Sequence, residues 1–406
     1  MDMKKRAYIW LGLICTCLQF VYGQNPEIRF HNIGIRDGLS HSLVTSVAED
    51  SLGFLWFGTQ DGLNRYDGYE FKTYFKGSGN RHPSDSWVRQ LYMDRHNQLW
   101  IWYQGIGLER FDPFRETFYT YRPDSLDPGS ISGNTYHSGH TLRYEVFYED
   151  SEGRLWIGTD RGLNRYNRDE DTFQVLRHRS GDPSSLSDDR VISIVGDKQD
   201  DLWIATYCGL NRLNISTGKI DRLGCSTDHE GILNDSIISC IYLDPDLNVW
   251  AGTVFGGLNI IENAFSDSMR VTRLIDDPLN PNYEPTIYTI YRTTAGEMLV
   301  GSHHGLYRVI RENGSYREEL IPETRNIRIF NILEDFHGYI WAASDANVQQ
   351  SLIRLHPDLQ TVEIFGGDVQ NPLAFKGKRV HFLHQNKTGI LWIGSEKDGL
   401  SRVDLN

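Results

Sequence analysis

The chain has 406 residues, 39% hydrophobic and 23% charged, which is a globular composition rather than a disordered one. Its formal charge of −13 comes from 41 basic against 54 acidic residues, with no basic block beyond the first few positions. That excludes the positive face a phosphate backbone needs, and with it nucleic acid as a partner.

Reading from the N-terminus, Lys4, Lys5 and Arg6 precede an apolar run over Ala7–Tyr22, and Val21 and Gly23 have the small side chains of a cleavage site. Residues 1–23 read as a secretory signal peptide, removed before the fold forms. The run is short for a membrane span, although an uncleaved anchor is the competing reading. No later stretch approaches 18 apolar residues, so residues 24–406 are expected to contain no membrane span. Of the five cysteines, Cys15 and Cys17 leave with the leader, and Cys208, Cys225 and Cys240 remain. That odd number allows at most one disulfide. A Cys208–Cys225 pair and three buried thiols both fit.

The rest of the chain repeats itself. Residues 50–67 read DSLGFLWFGTQDGLNRYD, residues 150–167 DSEGRLWIGTDRGLNRYN, and residues 197–214 DKQDDLWIATYCGLNRLN. Weaker copies begin at Asp94, Asp244, Thr293, Asp335 and Asn386, making eight. The register runs Trp56, Trp100, Trp156, Trp203, Trp250, Leu299, Trp341 and Trp392, in steps of 42 to 56 residues. Each copy opens on a β-branched alternating run such as LVTSVAED (43–50). A turn with Asp and Gly follows, then a strand through the Trp, a strand beginning Gly-Leu, and a run such as YEFKTYF (69–75). Period-2 alternation broken by frequent turns predicts short antiparallel strands. Four per repeat predict an all-β fold, a β-propeller of four-stranded antiparallel blades. The chain ends after the third strand of copy eight, and EIRFHNI (27–33) reads as an orphan outer strand. Together they predict eight blades with the N-terminal strand closing the ring. A seven-blade ring, with residues 366–406 starting another module, is the alternative.

The repeat residues carry a mechanical reading. Each Trp is expected to fill the wedge between neighbouring blades. The small residue two places on (Gly58, Gly158, Ala205, Gly252, Gly301, Ala343, Gly394) would let the next blade approach, and the turn aspartates would cap their turns.

The pattern D-x-x-G-x-L-W-I-G-T-x-x-G-L-N-R-Y resembles the two-component regulator propeller repeat, and the resemblance runs from residue 27 to residue 406. It implies the periplasmic sensor region of a hybrid two-component system protein of the Bacteroidetes, with oligosaccharides as the ligand class. Such proteins continue into a second propeller, a membrane helix, a histidine kinase and a regulator. No kinase His motif, ATP-binding Gly-rich segment or receiver is found here, so no enzymatic activity is expected of this chain. A protein-interaction ring is the alternative, and a propeller lyase or glycosidase a further one.

With strands named a to d from the centre outward, the d–a and b–c loops share one face, the default binding surface. Copies differ most there. Trp102 and Tyr103 stand where other copies have Gly-Thr, and Tyr207, Phe255 and His303 occupy later b–c loops. Trp87 opens a strand a, and the long d–a insert over residues 122–140 carries Tyr136. Aromatics beside polar loops suit sugar rings, whose C–H faces stack while their hydroxyls hydrogen-bond. The candidate ligand-binding set is therefore Trp87, Trp102, Tyr103, Tyr136, Tyr207, Phe255 and His303. His137, His140, His303 and His304 lack metal-ligand spacing, so no metal or cofactor is expected. Asp61, Asp160, Asp345, Glu396 and Asp398 supply carboxylates on the same face, but no nucleophile elbow or Ser/His/Asp grammar accompanies them. An oligosaccharide, a protein partner or a second copy in a homodimer all fit this surface.

Overall fold

The computed structural model describes residues 28–405 apart from residues 106, 135–144, 198–200, 225–231, 277–284, 345–350, 367–370 and 372. It contains eight separate four-stranded antiparallel sheets, and its only helical turns among the described residues are two of 3-10 type, Ile35–Asp37 and Pro322–Thr324. Blade 1 is typical, with strand a Val44–Glu49, strand b Leu55–Thr59, strand c Gly62–Tyr66 and strand d Phe71–Tyr74. Blade 8 takes strands a to c from Val380–Gln385, Ile390–Ser395 and Leu400–Asp404, and strand d from His31–Ile33. The N-terminal strand pairs as His31↔Arg402, Asn32↔Ser401 and Ile33↔Leu400. The ring therefore closes with eight blades, not seven, and no open sheet edge separates the last blade from the first. Residues 1–23, where a leader is expected, lie outside the described residues, among which no helix is long and apolar enough to cross a membrane.

The core sits between blades rather than within one. Trp56 is fully buried and clusters with Val88, Leu91, Leu99 and Phe111 of blade 2. Five of these indoles are also tied back to their own a–b turns. The Asp50 carboxylate accepts from Leu52 N and Phe54 N through one oxygen and from Trp56 Nε1 at 2.9 Å through the other. The same fork joins Asp94 to Trp100, Asp150 to Trp156, Asp244 to Trp250 and Asp335 to Trp341. The turn aspartates thus cap, as expected, and also satisfy the buried indole N–H that an inter-blade Trp would otherwise strand.

The glycine two places after the Trp works by absence of a side chain. A Cβ on Gly158 would lie 2.6 Å from Val191 Cγ1 of the next inner strand. A third repeated device pins the incoming d–a loop. Asn64 is buried; its Oδ1 accepts from Ser40 N, its Nδ2 donates to Ser40 Oγ, and Ser40 Oγ meets Thr59 Oγ1 at 2.8 Å. Asn164 with Ser132 and Thr159, and Asn211 with Ser187 and Thr206, repeat it.

Cys208 is disulfide-bonded and Cys240 is a free thiol. Cys225 lies outside the described residues. Burial foremost, with the Glu145 carboxylate beside it, pushes the Cys240 thiol up to about 12.

Candidate functional site

Strand a lines the central channel and begins at the face that carries the d–a and b–c loops. Seven inner strands are six residues long and bulge at the same place, between their first and third residues. A bulge leaves one residue unpaired and re-aims its side chain. The unpaired residues include Thr45, Arg89, Ser239, Tyr288 and Phe330. Three reach the following blade: Thr45 Oγ1 donates to Val88 O at 2.8 Å and Ser239 Oγ to Ile287 O at 2.5 Å, and the Tyr288 ring meets that of Phe330 at 4.5 Å. Tyr288 and Phe330 also border a channel cleft of about 420 Å³, whose polar lining includes Glu145, Ser193, Asn331 and Glu334.

At the rim, aromatic rings are paired with arginines. The Arg89 guanidinium lies 5.0 Å from the Trp87 ring centroid. Arg190 lies 4.3 Å from the Tyr207 ring and grips Asp188 through Nε at 2.8 Å and Nη2 at 2.6 Å. Burial would raise the Asp188 carboxyl, but the bonds from Arg190 outweigh it and hold the group below its usual range. His303 meets the Tyr288 hydroxyl at 3.2 Å and accepts from Arg328 Nε at 3.3 Å. Which imidazole nitrogen carries the proton is set by those two partners.

Among the candidate residues, Trp87, Tyr207 and His303 are half-buried at this rim, and Phe255 is 66% exposed in the b–c loop of blade 5. Trp102 and Tyr103 are 0% and 1% exposed, within strand b of blade 2. Trp102 packs towards blade 3 against Val146, Phe147 and Ile131, and Tyr103 towards blade 1 with Trp56 and Leu63. In this arrangement their rings shape the blade and present no surface. Tyr136 lies outside the described residues. Burial first, then the Glu109 carboxylate, raises the Tyr103 phenol well above its usual range.

Glu109 takes the place of the repeat Asn in blade 2. Its Oε1 accepts from Ser84 N at 3.1 Å and Thr120 Oγ1 at 2.7 Å, as Asn64 Oδ1 accepts from Ser40 N and Thr73 Oγ1 in blade 1. Neither Arg89, Arg190 nor Glu109 stands out from sequence alone. Aligning the copies would have marked Glu109 as the one Gly-Leu-Asn-Arg copy with a carboxylate. Arg89 needed the bulge.

No group of three or more His, Cys, Asp or Glu among the described residues is placed to hold a metal; His137 and His140 lie outside them, as does Asp345. Asp160 accepts from Asn134 N, Asp398 from Lys378 N, and Glu396 pairs with Arg379. These carboxylates hold loops together.

The architecture defines a closed eight-bladed β-propeller with a loop-built face around its channel. The family model of the two component regulator propeller matches residues 38–61, 140–161 and 185–208. A 63-residue stretch, 16% of this chain and 4% of its relative, is 43% identical to a histidine kinase of Formosa agariphila. The extracellular domain of a hybrid two component system from B. thetaiotaomicron superposes with a TM-score of 0.57 at 23% identity, over 93% of this chain and 42% of that one. A virginiamycin B lyase from Staphylococcus aureus, solved with quinupristin, superposes with a TM-score of 0.50 at 12% identity, over 94% of this chain and 100% of that one. Identities this low speak to fold. This chain spans less than half the length of the first two relatives.

Proposed function

We propose that this chain is an extracytoplasmic ligand-sensing propeller that takes an oligosaccharide on its d–a and b–c loop face. The observation that carries the reading is the rim of aromatic rings, each beside an arginine: Trp87 with Arg89 and Tyr207 with Arg190. A ring face stacks on the C–H face of a pyranose, and a neighbouring guanidinium donates to its hydroxyls. Phe255 adds an exposed ring in the b–c loop of the next blade after that of Tyr207. The propeller repeat and the likeness to an extracellular sensor domain support placement outside the cytoplasm. Kinase output would belong to other segments or other chains, and the lyase likeness in fold supplies no catalytic group here. The test is calorimetry of the full chain against a glycan panel. At least one glycan binds, and Trp87→Ala, Tyr207→Ala and Phe255→Ala together weaken it by about tenfold or more, as loss of stacked aromatics at a site implies. Unchanged glycan affinity in that triple variant sinks the reading.

A protein partner is favoured by the opposite face. There the a–b and c–d turns expose Leu52, Tyr69, Phe114 and Phe336, more large apolar side chains than isolated surface residues explain. Sedimentation that shows a dimer dispersed by Tyr69→Asp and Phe336→Asp would assign that face to a second copy.

A further inference from the structure

The register of the inner strands sorts the lining of the channel cleft, about 420 Å³ in volume, into layers. The residue after the Trp register pairs with Phe147 in blade 3, Ile290 in blade 6 and Ile332 in blade 7. Two places earlier stand Glu145, Tyr288 and Phe330, at one level. Ser193, Thr289 and Asn331 stand one level further from the loop face, each the third residue of its strand a. Ile290, Ile332 and Leu383 form the next level. Every one of these residues borders the cleft. A ring of eight blades sets blade 7 opposite blade 3, so Glu145 stands across the channel from Phe330.

The charges in this lining do not balance. Among the described residues it has no lysine, arginine or histidine. Arg89 and His381 hold the top level in blades 2 and 8, but neither borders the cleft. Its two carboxylates differ. Glu334 already accepts from Thr294 N and Thr294 Oγ1, both at 2.6 Å. Glu145 is exposed, and among the described residues no hydrogen bond or ion pair engages its carboxylate. One level on, Ser193 is 2% exposed and its Oγ has no hydrogen-bond partner. The Tyr288 and Phe330 rings meet at 4.5 Å and 54°, so they form two walls of a corner.

A buried hydroxyl without a partner is uncommon and calls for an explanation. A free carboxylate, two aromatic faces and small oxygen acceptors are together the groups that hold a cationic head. We infer that the channel cleft binds an organic amine in its ammonium form, with Glu145 pairing the charge, Tyr288 and Phe330 flanking it, and Ser193 and Asn331 accepting its N–H bonds. An ammonium donates three bonds and accepts none, which suits a lining that offers oxygens and no cation. The body of the ligand would be compact and apolar, because Ile290, Ile332 and Leu383 form the layer beyond the acceptors. The inference goes beyond the glycan reading and does not rest on it. Trp87, Tyr207 and Phe255, the rings proposed for a sugar, do not border the cleft.

The experiment uses two probes on the full chain: phenethylamine, whose ring and two-carbon chain end in an ammonium, and 2-phenylethanol, in which a hydroxyl replaces that group. Calorimetry is expected to show phenethylamine binding about tenfold or more tighter than 2-phenylethanol. Glu145→Gln keeps the shape and removes the charge. It should weaken phenethylamine about tenfold or more, the loss of a charge-assisted bond, and move 2-phenylethanol less than about twofold. Phe330→Leu should weaken phenethylamine about threefold, as the loss of one cation–π face implies. Glu145 is exposed, so Glu145→Gln should keep the wild-type Tm without ligand, and it carries the test alone if Phe330→Leu does not fold. The triple variant Trp87→Ala, Tyr207→Ala and Phe255→Ala should bind phenethylamine as the wild type does. Absence of phenethylamine binding, or equal affinity in wild type and Glu145→Gln, overturns the site. Equal affinity for the two probes also overturns it, because the cleft would then select the apolar body and not the charge. Loss of phenethylamine binding in the triple variant would put the amine on the loop face and overturn the channel assignment. None of these results bears on whether that face binds a glycan.

Discussion

In blade 1 the incoming loop is held by a neutral trio, Ser40, Thr59 and Asn64, whose donors and acceptors satisfy one another. In blade 2 the Asn is Glu109 and the Thr is Tyr103, and the loop is held through Ser84 N by a carboxylate. The two substitutions belong together. A phenol stands beside the longer acidic side chain, and burial foremost, then that carboxylate, keeps the phenol protonated. The lesson is that new chemistry enters the repeat where neighbouring positions change as a set.

The largest effect should come from the regular half of that contrast. Trp156 is buried and bonded to Asp150, so Trp156→Ala is expected to cost about 3–5 kcal/mol in urea unfolding. A loss below about 1 kcal/mol would contradict inter-blade packing. Asp150→Asn comes next, at about 1–3 kcal/mol, because it sets an amide against the Trp156 and Arg154 donors. Burial pushes the Asp150 carboxyl up, but the bonds from Trp156 and Arg154 prevail and hold it below its usual range. Its contribution is therefore complete above the unfolded pKa of about 4 and disappears as pH falls through the lower folded value. The stability gap between wild type and Asp150→Asn should close on acidification; a gap constant from pH 7 to pH 2 would refute this.

Within blade 2, Tyr103→Thr and Glu109→Asn should each destabilise. Combined, they convert its chemistry to that of blade 1, and a double-mutant cycle should return a coupling of about 0.5–3 kcal/mol. Strict additivity would mean that the two sites changed independently. The smallest effect is a gain. Blade 8 has Asn386 where five blades have a Trp-bonded Asp, and the buried Trp392 Nε1 has no acceptor. Asn386→Asp should restore the fork and stabilise by about 0.5–1.5 kcal/mol, read as a rise in Tm.

The fold was legible because its determinants are local and repeated. The Asp turn, the Trp and the Gly that admits the next strand sit within nine residues, as in Asp50, Trp56 and Gly58, so eight copies register the same geometry. Closure was legible because a d strand stood alone before the first repeat. The site was less so. Trp102 and Tyr103 read as rim aromatics, since nothing local reveals that both rings turn into the spaces between blades. Arg89 read as one residue of an alternating strand, because a bulge conserves composition while rotating one side chain out of register. Tyr207, Phe255 and His303 are singled out by comparing loops across copies, the method suited to positions the repeat does not constrain.

The seam between His31–Ile33 and Leu400–Asp404 has a mechanical consequence. Because the strands run antiparallel, His31 sits opposite Arg402, and the two ends of the domain emerge side by side at the outer edge of one blade. Tension between flanking segments would peel that seam pair by pair instead of shearing its three pairs at once. Phe30, wedged among Phe365, Phe375 and Trp341, is then the latch that such a force must draw out first.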